Sequence, residues 1–197
     1  MQSERIGGQG VPADIQRILD DIERAGSAAT ALIRGMSDEQ FNWRPDGGTR
    51  WSVGQCLEHL AITNELYGAA IRSAVEQASR SGSTRRGELK PGFFGQKFVN
   101  SLEPPVKRRG RAPSQAKPSS TLSRDEIVRR FHQAHAQLRQ TAIDAAAIDA
   151  NRVTFANPFL KILRVKVSTG LHVIAAHDRR HLWQAESVTK DPLFPRT

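Results

Sequence analysis

Two histidines near the end of the chain, His177 and His181, have the spacing that most directly suggests chemistry. Their segment, 168–188, follows a helical pattern, and side chains four positions apart on a helix project from one face. Ile174 and Val188 make the rest of this face apolar. Buried imidazoles need polar partners or a metal. Two imidazoles one turn apart can bind the same divalent ion at about 2.0–2.1 Å, so the pair predicts a metal site.

A third ligand must come from elsewhere in the chain, and the candidates are His59, His132, His135, His172 and Cys56. His172 is five residues before His177 and therefore points away from the pair. His132 and His135 are expected on the surface, although His135 flanks an apolar stripe and has the alternative of reaching the interior. Cys56 is either a core residue or a soft fourth ligand. Because it is the only cysteine, an intrachain disulfide and a zinc-finger cluster are excluded.

The residues beside the histidine pair leave several readings open. Asp178 stands where zinc proteases have Glu, so their motif is absent, and no further Asp motif of the HD-type phosphohydrolases is evident. Asp178 either orients a ligand histidine through a hydrogen bond or pairs with Arg124 or another surface cation. Arg179 and Arg180 are candidates for binding an acidic substrate at the mouth of the site, although exposed arginines near a helix end are common.

Apolar residues recur with the period of an α-helix in four segments, 12–36, 53–79, 124–146 and 169–188. Ser52 and Ser123 begin capping-box patterns, and Ser168 is a candidate cap of the last helix. We find no internal repeat and expect no strand. Four amphipathic helices predict an all-α four-helix bundle. This single domain is expected over 12–188, after a disordered lead at 1–11.

The segment between the second and third helices, 80–121, holds five of the ten prolines and most of the charge. Residues 81–120 contain nine Lys or Arg and two Glu, a net +7 of the chain's formal +9. We expect a long basic crossover loop, ordered in part by its phenylalanines and mobile in part. So long a loop needs a reason. Its basic stretch, 104–117, is either solvated or a salt-sensitive contact for nucleic acid, and the solvated reading is preferred.

The crossover also decides whether His59 can reach the histidine pair. His59 lies about two turns from the start of the second helix and His181 about two turns from the end of the fourth, roughly 10 Å in each case. The two residues meet only if these helices are antiparallel. A bundle with one long crossover meets this condition, whereas a plain up-down-up-down bundle does not.

Four stretches of the sequence also resemble the DinB-like (YfiT-type) family of metal-dependent proteins: MSDEQFNWRP (36–45), WSVGQCLEHL (51–60), LEPPVKRR (102–109) and HDRRHLWQ (177–184). The resemblance covers about residues 12–188. It implies a four-helix bundle in up-down-down-up order, with the long crossover between helices 2 and 3. It also implies a metal site formed by His59, His177 and His181. Some family members are thiol-dependent transferases, others are suspected hydrolases, and many have no known reaction.

These observations predict a metal-dependent enzyme that acts on a small molecule through one zinc or nickel ion, with a low-molecular-weight thiol as a possible co-substrate. The alternative is a non-catalytic metal-binding or stress-associated interaction protein. A nucleic-acid partner is disfavoured, and a homodimer is plausible from the resemblance. The polar start, the single cysteine and the lack of a long apolar run indicate a cytoplasmic protein without a membrane partner.

Overall fold

The structure is a computed structural model of the 197-residue chain and describes residues 10–106, 110–119 and 123–196. Most of the expected lead and residues 107–109 of the basic stretch therefore lie outside the described part. In chain order the elements are α1 (Ala13–Ile33), α2 (Asp38–Asn42), α3 (Pro45–Gly48), α4 (Val53–Arg80), α5 (Phe93–Leu102), a 3-10 turn (Ser114–Ala116), α6 (Arg124–Ala145), β1 (Thr154–Ala156), β2 (Arg164–Lys166) and α7 (Val167–Thr189).

The four long helices, α1, α4, α6 and α7, are the four that the apolar periodicity predicts, so the all-α class is confirmed. Ser52 caps α4 with a complete capping box, in which its side chain and that of Gln55 bond each other's backbone N–H groups. Ser123 accepts the backbone N–H of Glu126 at the start of α6. Helix α1 ends three residues earlier than expected, because Gly35 adopts a positive φ of 75° that turns the chain away.

Contacts near both ends of the helices establish their directions. Arg130 bonds Glu65 at 2.7 Å, and beyond the helices the hydroxyl of Ser83 accepts the backbone N–H of Asp149. Helices α4 and α6 therefore run parallel, and the crossover between them spans the length of the bundle. Arg124, the first residue of α6, bonds carbonyls at the end of α1, so these two helices are antiparallel.

Helices α4 and α7 are antiparallel, as the metal hypothesis requires. His59, near the start of α4, lies against His177 at the middle of α7 and against His181 in its second half. Ile71, two-thirds along α4, packs beside Gly170 near the start of α7. The order of the bundle is up-down-down-up.

Two apolar clusters form the core, and a polar layer separates them. One cluster includes Ile15, Ile71, Leu138 and Leu171, and the other includes Phe41, Leu57, Phe131 and Val188. Each of α4, α6 and α7 crosses from one cluster to the other, and its polar side chains are buried at the crossing point. These buried residues are Glu58, His59, Thr63, Asn64, His135, Asp178 and His181.

The segment before α7 differs from the prediction. Strands β1 and β2 pair antiparallel, with Phe155 opposite Val165, so the expectation of no strand is wrong. Helix α7 begins at Val167, and its first turn is flanked by Lys166 as the N-cap. Ser168 is not the cap, because its hydroxyl donates to the carbonyl oxygen of Lys90 in the crossover at 3.1 Å.

The crossover is not a loop throughout, since it contains α5 and the 3-10 turn. The expectation that its phenylalanines order the crossover by packing in the core is wrong, because the side chains remain largely exposed: 69% for Phe93, 83% for Phe94 and 50% for Phe98. Val99 is the buried residue of α5 and packs in the first apolar cluster. None of the helices in the described part of the chain combines the length and the apolarity that a membrane span requires.

Candidate metal centre

The structure brings the three histidines of the predicted site together. His59 comes from α4 and the pair His177 and His181 from α7, and one nitrogen of each ring lies within 4.8 Å of the others. The Nε2 atoms of His59 and His177 are 3.3 Å apart. Tetrahedral zinc with bonds of about 2.0–2.1 Å separates its ligand nitrogens by about 3.3 Å. The spacing of these two atoms therefore fits a shared ion without rearrangement.

A carbonyl of the crossover holds the ring of His59. The Nδ1–H of His59 donates to the carbonyl oxygen of Ala116 at 2.6 Å. Because a neutral imidazole carries one proton, Nε2 is left with a free lone pair that faces His177. Such a bond to the second nitrogen is typical of histidines that bind metals. Ala116 belongs to the 3-10 turn, so the crossover contributes directly to the site, which sequence reasoning did not anticipate.

All three imidazoles favour the neutral form, which is the form that binds a metal. Burial lowers the pKa of His177 to about 3, with His59 and the charge of Arg180 adding to the effect. Burial also lowers the pKa of His59, and it lowers that of His181 well below its usual value. The Nδ1 atom of His181 is buried and has no hydrogen-bond partner among the described residues. The centre thus has the donor atoms that an ion would satisfy.

Trp51 and Cys56 border this centre in different ways. The ring of Trp51 lies 4.8 Å from that of His59 and 5.8 Å from that of His181, so an aromatic wall covers one side. Cys56 is fully buried in the second apolar cluster, and burial raises the pKa of its thiol to about 12. It is not part of the metal-capable group among the described residues, which agrees with its reading as a core residue.

Asp178 follows neither of the two readings left open by the sequence. Its carboxylate is buried and accepts hydrogen bonds from Asn64 at 2.9 Å and from His135 Nε2 at 3.0 Å. His135 is therefore buried as well, and the expectation of a surface position is wrong. Its Nδ1 donates to the carbonyl of Phe131 at 2.9 Å. Both ring nitrogens of His135 face oxygen acceptors, and against the effect of burial the charge and hydrogen bond of Asp178 raise its pKa, so the site favours an imidazolium paired with the carboxylate.

The remaining candidates lie away from the three histidines. His132 is exposed and approaches Thr30 at 3.4 Å, and the Nδ1–H of His172 donates to the carbonyl of Ser168. Arg179 bonds Glu103 and Asp21 and joins α7 to α1 and the end of α5. Of the two arginines proposed for the mouth of the site, Arg180 alone lines the cleft described next.

A cleft of about 1100 Å³ opens over the three histidines. Its walls come from the first half of α4 and the segment before it, the face of α7 that carries His177 and His181, α5, the crossover around the 3-10 turn and the β1–β2 connection. This volume lies slightly above the usual range of ligand pockets, about 300–1000 Å³. The centre is therefore accessible to a small organic molecule.

The comparison with known families agrees with this architecture. A family model of the DinB superfamily matches residues 21–185. The chain therefore belongs to the DinB superfamily, as its motifs indicate. No curated protein and no solved structure shows significant similarity to it.

Proposed function

We propose that this protein is a metal-dependent enzyme that acts on a small molecule in the cleft. The ligands are His59, His177 and His181, and the observation that carries the proposal is their convergence as three neutral imidazoles beneath an open cleft. Imidazole ligands accept zinc and nickel alike. Three protein ligands beside an open position are typical of catalytic zinc, whereas a structural zinc has a fourth protein ligand.

A bound ion at such a centre supplies a Lewis acid and lowers the pKa of a water or thiol nucleophile. The chain itself positions this chemistry. Ala116 fixes the orientation of His59 and leaves its Nε2 free, and Trp51 shields one side of the centre from water. The remaining side faces the cleft, where a substrate and a low-molecular-weight thiol can approach together.

The surroundings of the centre favour an enzyme over a structural metal site. Cys56, the candidate for a closing fourth ligand, is turned into the core. Asp178, the carboxylate nearest in sequence, is engaged by Asn64 and His135. Neither group closes the fourth position.

The test is a screen of the zinc- and nickel-reconstituted protein for thiol transfer to electrophiles and for hydrolysis of amides and esters. His59→Ala serves as the inactive reference, and Arg72→Gln, on the exposed side of α4, controls for substitution on the same helix. We expect metal-dependent turnover in the wild type and in Arg72→Gln, with the His59→Ala rate at background. Equal rates in wild type and His59→Ala for every substrate would contradict an enzyme and favour a metal-binding or interaction protein.

A further inference from the structure

The charge of the cleft is one-sided. Four cationic side chains line it, and no Asp or Glu does so among the described residues: the cations are Arg50, Arg111, Lys117 and Arg180. Arg50 is partly neutralised by Asp46 and Asp191 at 3.7 and 3.8 Å. Lys117 follows Ala116, the residue that bonds His59, and therefore lies close to the metal centre. A concave site with charges of one sign attracts ligands of the opposite sign.

Along α7 the cleft changes character one turn at a time. Val173 and Ile174 line it first, then His177, then Arg180 with His181, and last Trp183, Gln184 and Ser187. At 1.5 Å per residue, Ile174 lies about 4.5 Å before His177, and Arg180 about 4.5 Å after it. Along the helix axis the reactive centre is therefore flanked by apolar side chains on one side, the apolar end, and by Arg180 on the other, the cationic end.

Side chains from other elements extend the apolar end. Phe98 and Leu102 of α5 and Phe159 of the β1–β2 connection line the cleft with Ile174. Phe159 also packs against the ring of Tyr67, at 5.8 Å between centroids. Phe98 is half exposed, so this wall has apolar area available for a ligand.

Arg180 directly precedes His181 in the chain and lines the cleft together with His177 and His181. Its charge therefore lies beside the place where a substrate would react. Arginine presents paired N–H donors that match a carboxylate or a phosphate.

We infer that the cleft binds an amphiphilic organic anion, with its apolar group against Phe98 and Phe159 and its anionic group at Arg180. This inference names the substrate class of the proposed enzyme, and it rests on the proposed function in taking the three-histidine centre as the reactive site. The bond to be transformed lies between the two groups, over the three histidines. A carboxylate and a phosphate monoester share the required chemistry.

The test compares ligands of matched shape by isothermal titration calorimetry. The probes are 3-phenylpropanoate, its neutral amide and 2-phenylethyl phosphate, each titrated into metal-free and zinc-loaded protein. Because an anion can form a charged hydrogen bond with Arg180 that the neutral amide cannot form, we expect the anions to bind at least about tenfold more tightly than the amide. The better of the two anions identifies the natural anionic group.

Two variants and a control locate the binding. Arg180→Gln is expected to remove the preference for the anions, and Phe98→Ala to weaken all three aromatic probes while leaving that preference. Arg72→Gln removes a charge on the exposed side of α4 and is expected to change nothing. Circular dichroism checks that each variant is folded, and Lys117→Gln provides a second test of the cationic end if Arg180→Gln fails to fold.

Equal affinity for the anion and its amide, or an unchanged preference in Arg180→Gln and Lys117→Gln, would overturn the inference. An anion preference found only with zinc bound and kept in both variants would assign the anion to the metal, and would overturn it as well. The proposed metal-dependent function can be wrong while the inference about anion binding holds. If the metal-free protein prefers anions but takes up no metal, the cleft binds anions and the metal-dependent function is wrong.

Discussion

Asp178 provides the sharpest test of the polar layer, because its carboxylate is only 1% exposed and joins three helices. It accepts one hydrogen bond from Asn64 of α4 and one from Nε2 of His135 of α6. Asp178→Ala removes both acceptors and leaves a buried charge on His135 without its counter-ion. Loss of one partner of a buried ion pair costs about 3–5 kcal/mol. We expect the free energy of unfolding to fall by about that amount.

Asp178→Asn is the matched variant, since its amide keeps the shape and can bond Asn64 and a neutral His135 ring. We expect it to cost less than Asp178→Ala. Glu65→Ala serves as a second reference, because it breaks a half-exposed ion pair with Arg130 between the same α4 and α6. Pairs of that kind contribute about 1 kcal/mol or less.

The pH dependence of this effect has a definite sign. Burial by itself would lower the pKa of His135, but the charge and hydrogen bond of Asp178 and the carbonyl of Phe131 raise it above its usual value. A raised pKa gives stability that is complete below the unfolded value, about 6.5, and is lost as pH rises through the folded value. The difference between wild type and Asp178→Asn should therefore be larger at pH 6 than at pH 9.

Urea unfolding of the metal-free proteins, followed by circular dichroism across this pH range, measures these differences. The comparison with Asp178→Asn is needed because the lowered pKa values of His59, His177 and His181 act in the opposite direction in every variant. If Asp178→Ala lowers the free energy of unfolding no more than Glu65→Ala does, the buried ion pair between Asp178 and His135 is refuted. If the difference in unfolding free energy between wild type and Asp178→Asn does not change with pH, His135 is not an imidazolium in the folded protein.

Three further predictions concern the start of α4. Gly54→Ala should lower stability by about 1–3 kcal/mol, because a Cβ at Gly54 would lie 2.5 Å from the ring of Phe41; thermal unfolding measures it. Ser52→Ala should cost about 1 kcal/mol through the lost cap, and a melting temperature equal to wild type would refute that role. Cys56 should resist a thiol reagent until the protein unfolds, since it is buried with a pKa of about 12, and rapid native labelling would contradict this.

The sequence was sufficient for the four long helices because each carries an apolar stripe of several turns. Two features of the sequence predicted that His59 would meet His177 and His181. One is the i to i+4 spacing of the histidine pair, and the other is the long crossover between the second and third helices. The resemblance of the motifs then named the same three residues. The geometric argument and the resemblance both depend on residue patterns that lie within one helix or one continuous segment of the chain.

The differences from prediction arise where the deciding partner is distant in sequence. His135 is buried because Asp178, 43 positions away, satisfies its ring, and no local pattern shows such a partner. Ala116 holds His59 through a backbone carbonyl, which no residue type encodes. The strands β1 and β2 have three residues each, too few for a detectable alternation.

The most direct test of the central claim is the metal content of the purified protein, determined by elemental analysis after reconstitution with zinc or nickel. The wild type is compared with the His177→Ala/His181→Ala double variant and with His132→Ala, an exposed histidine that serves as the control. We expect one equivalent of metal in wild type and in His132→Ala, and none in the double variant. Equal metal content in all three proteins, or none in the wild type, would contradict the three-histidine centre.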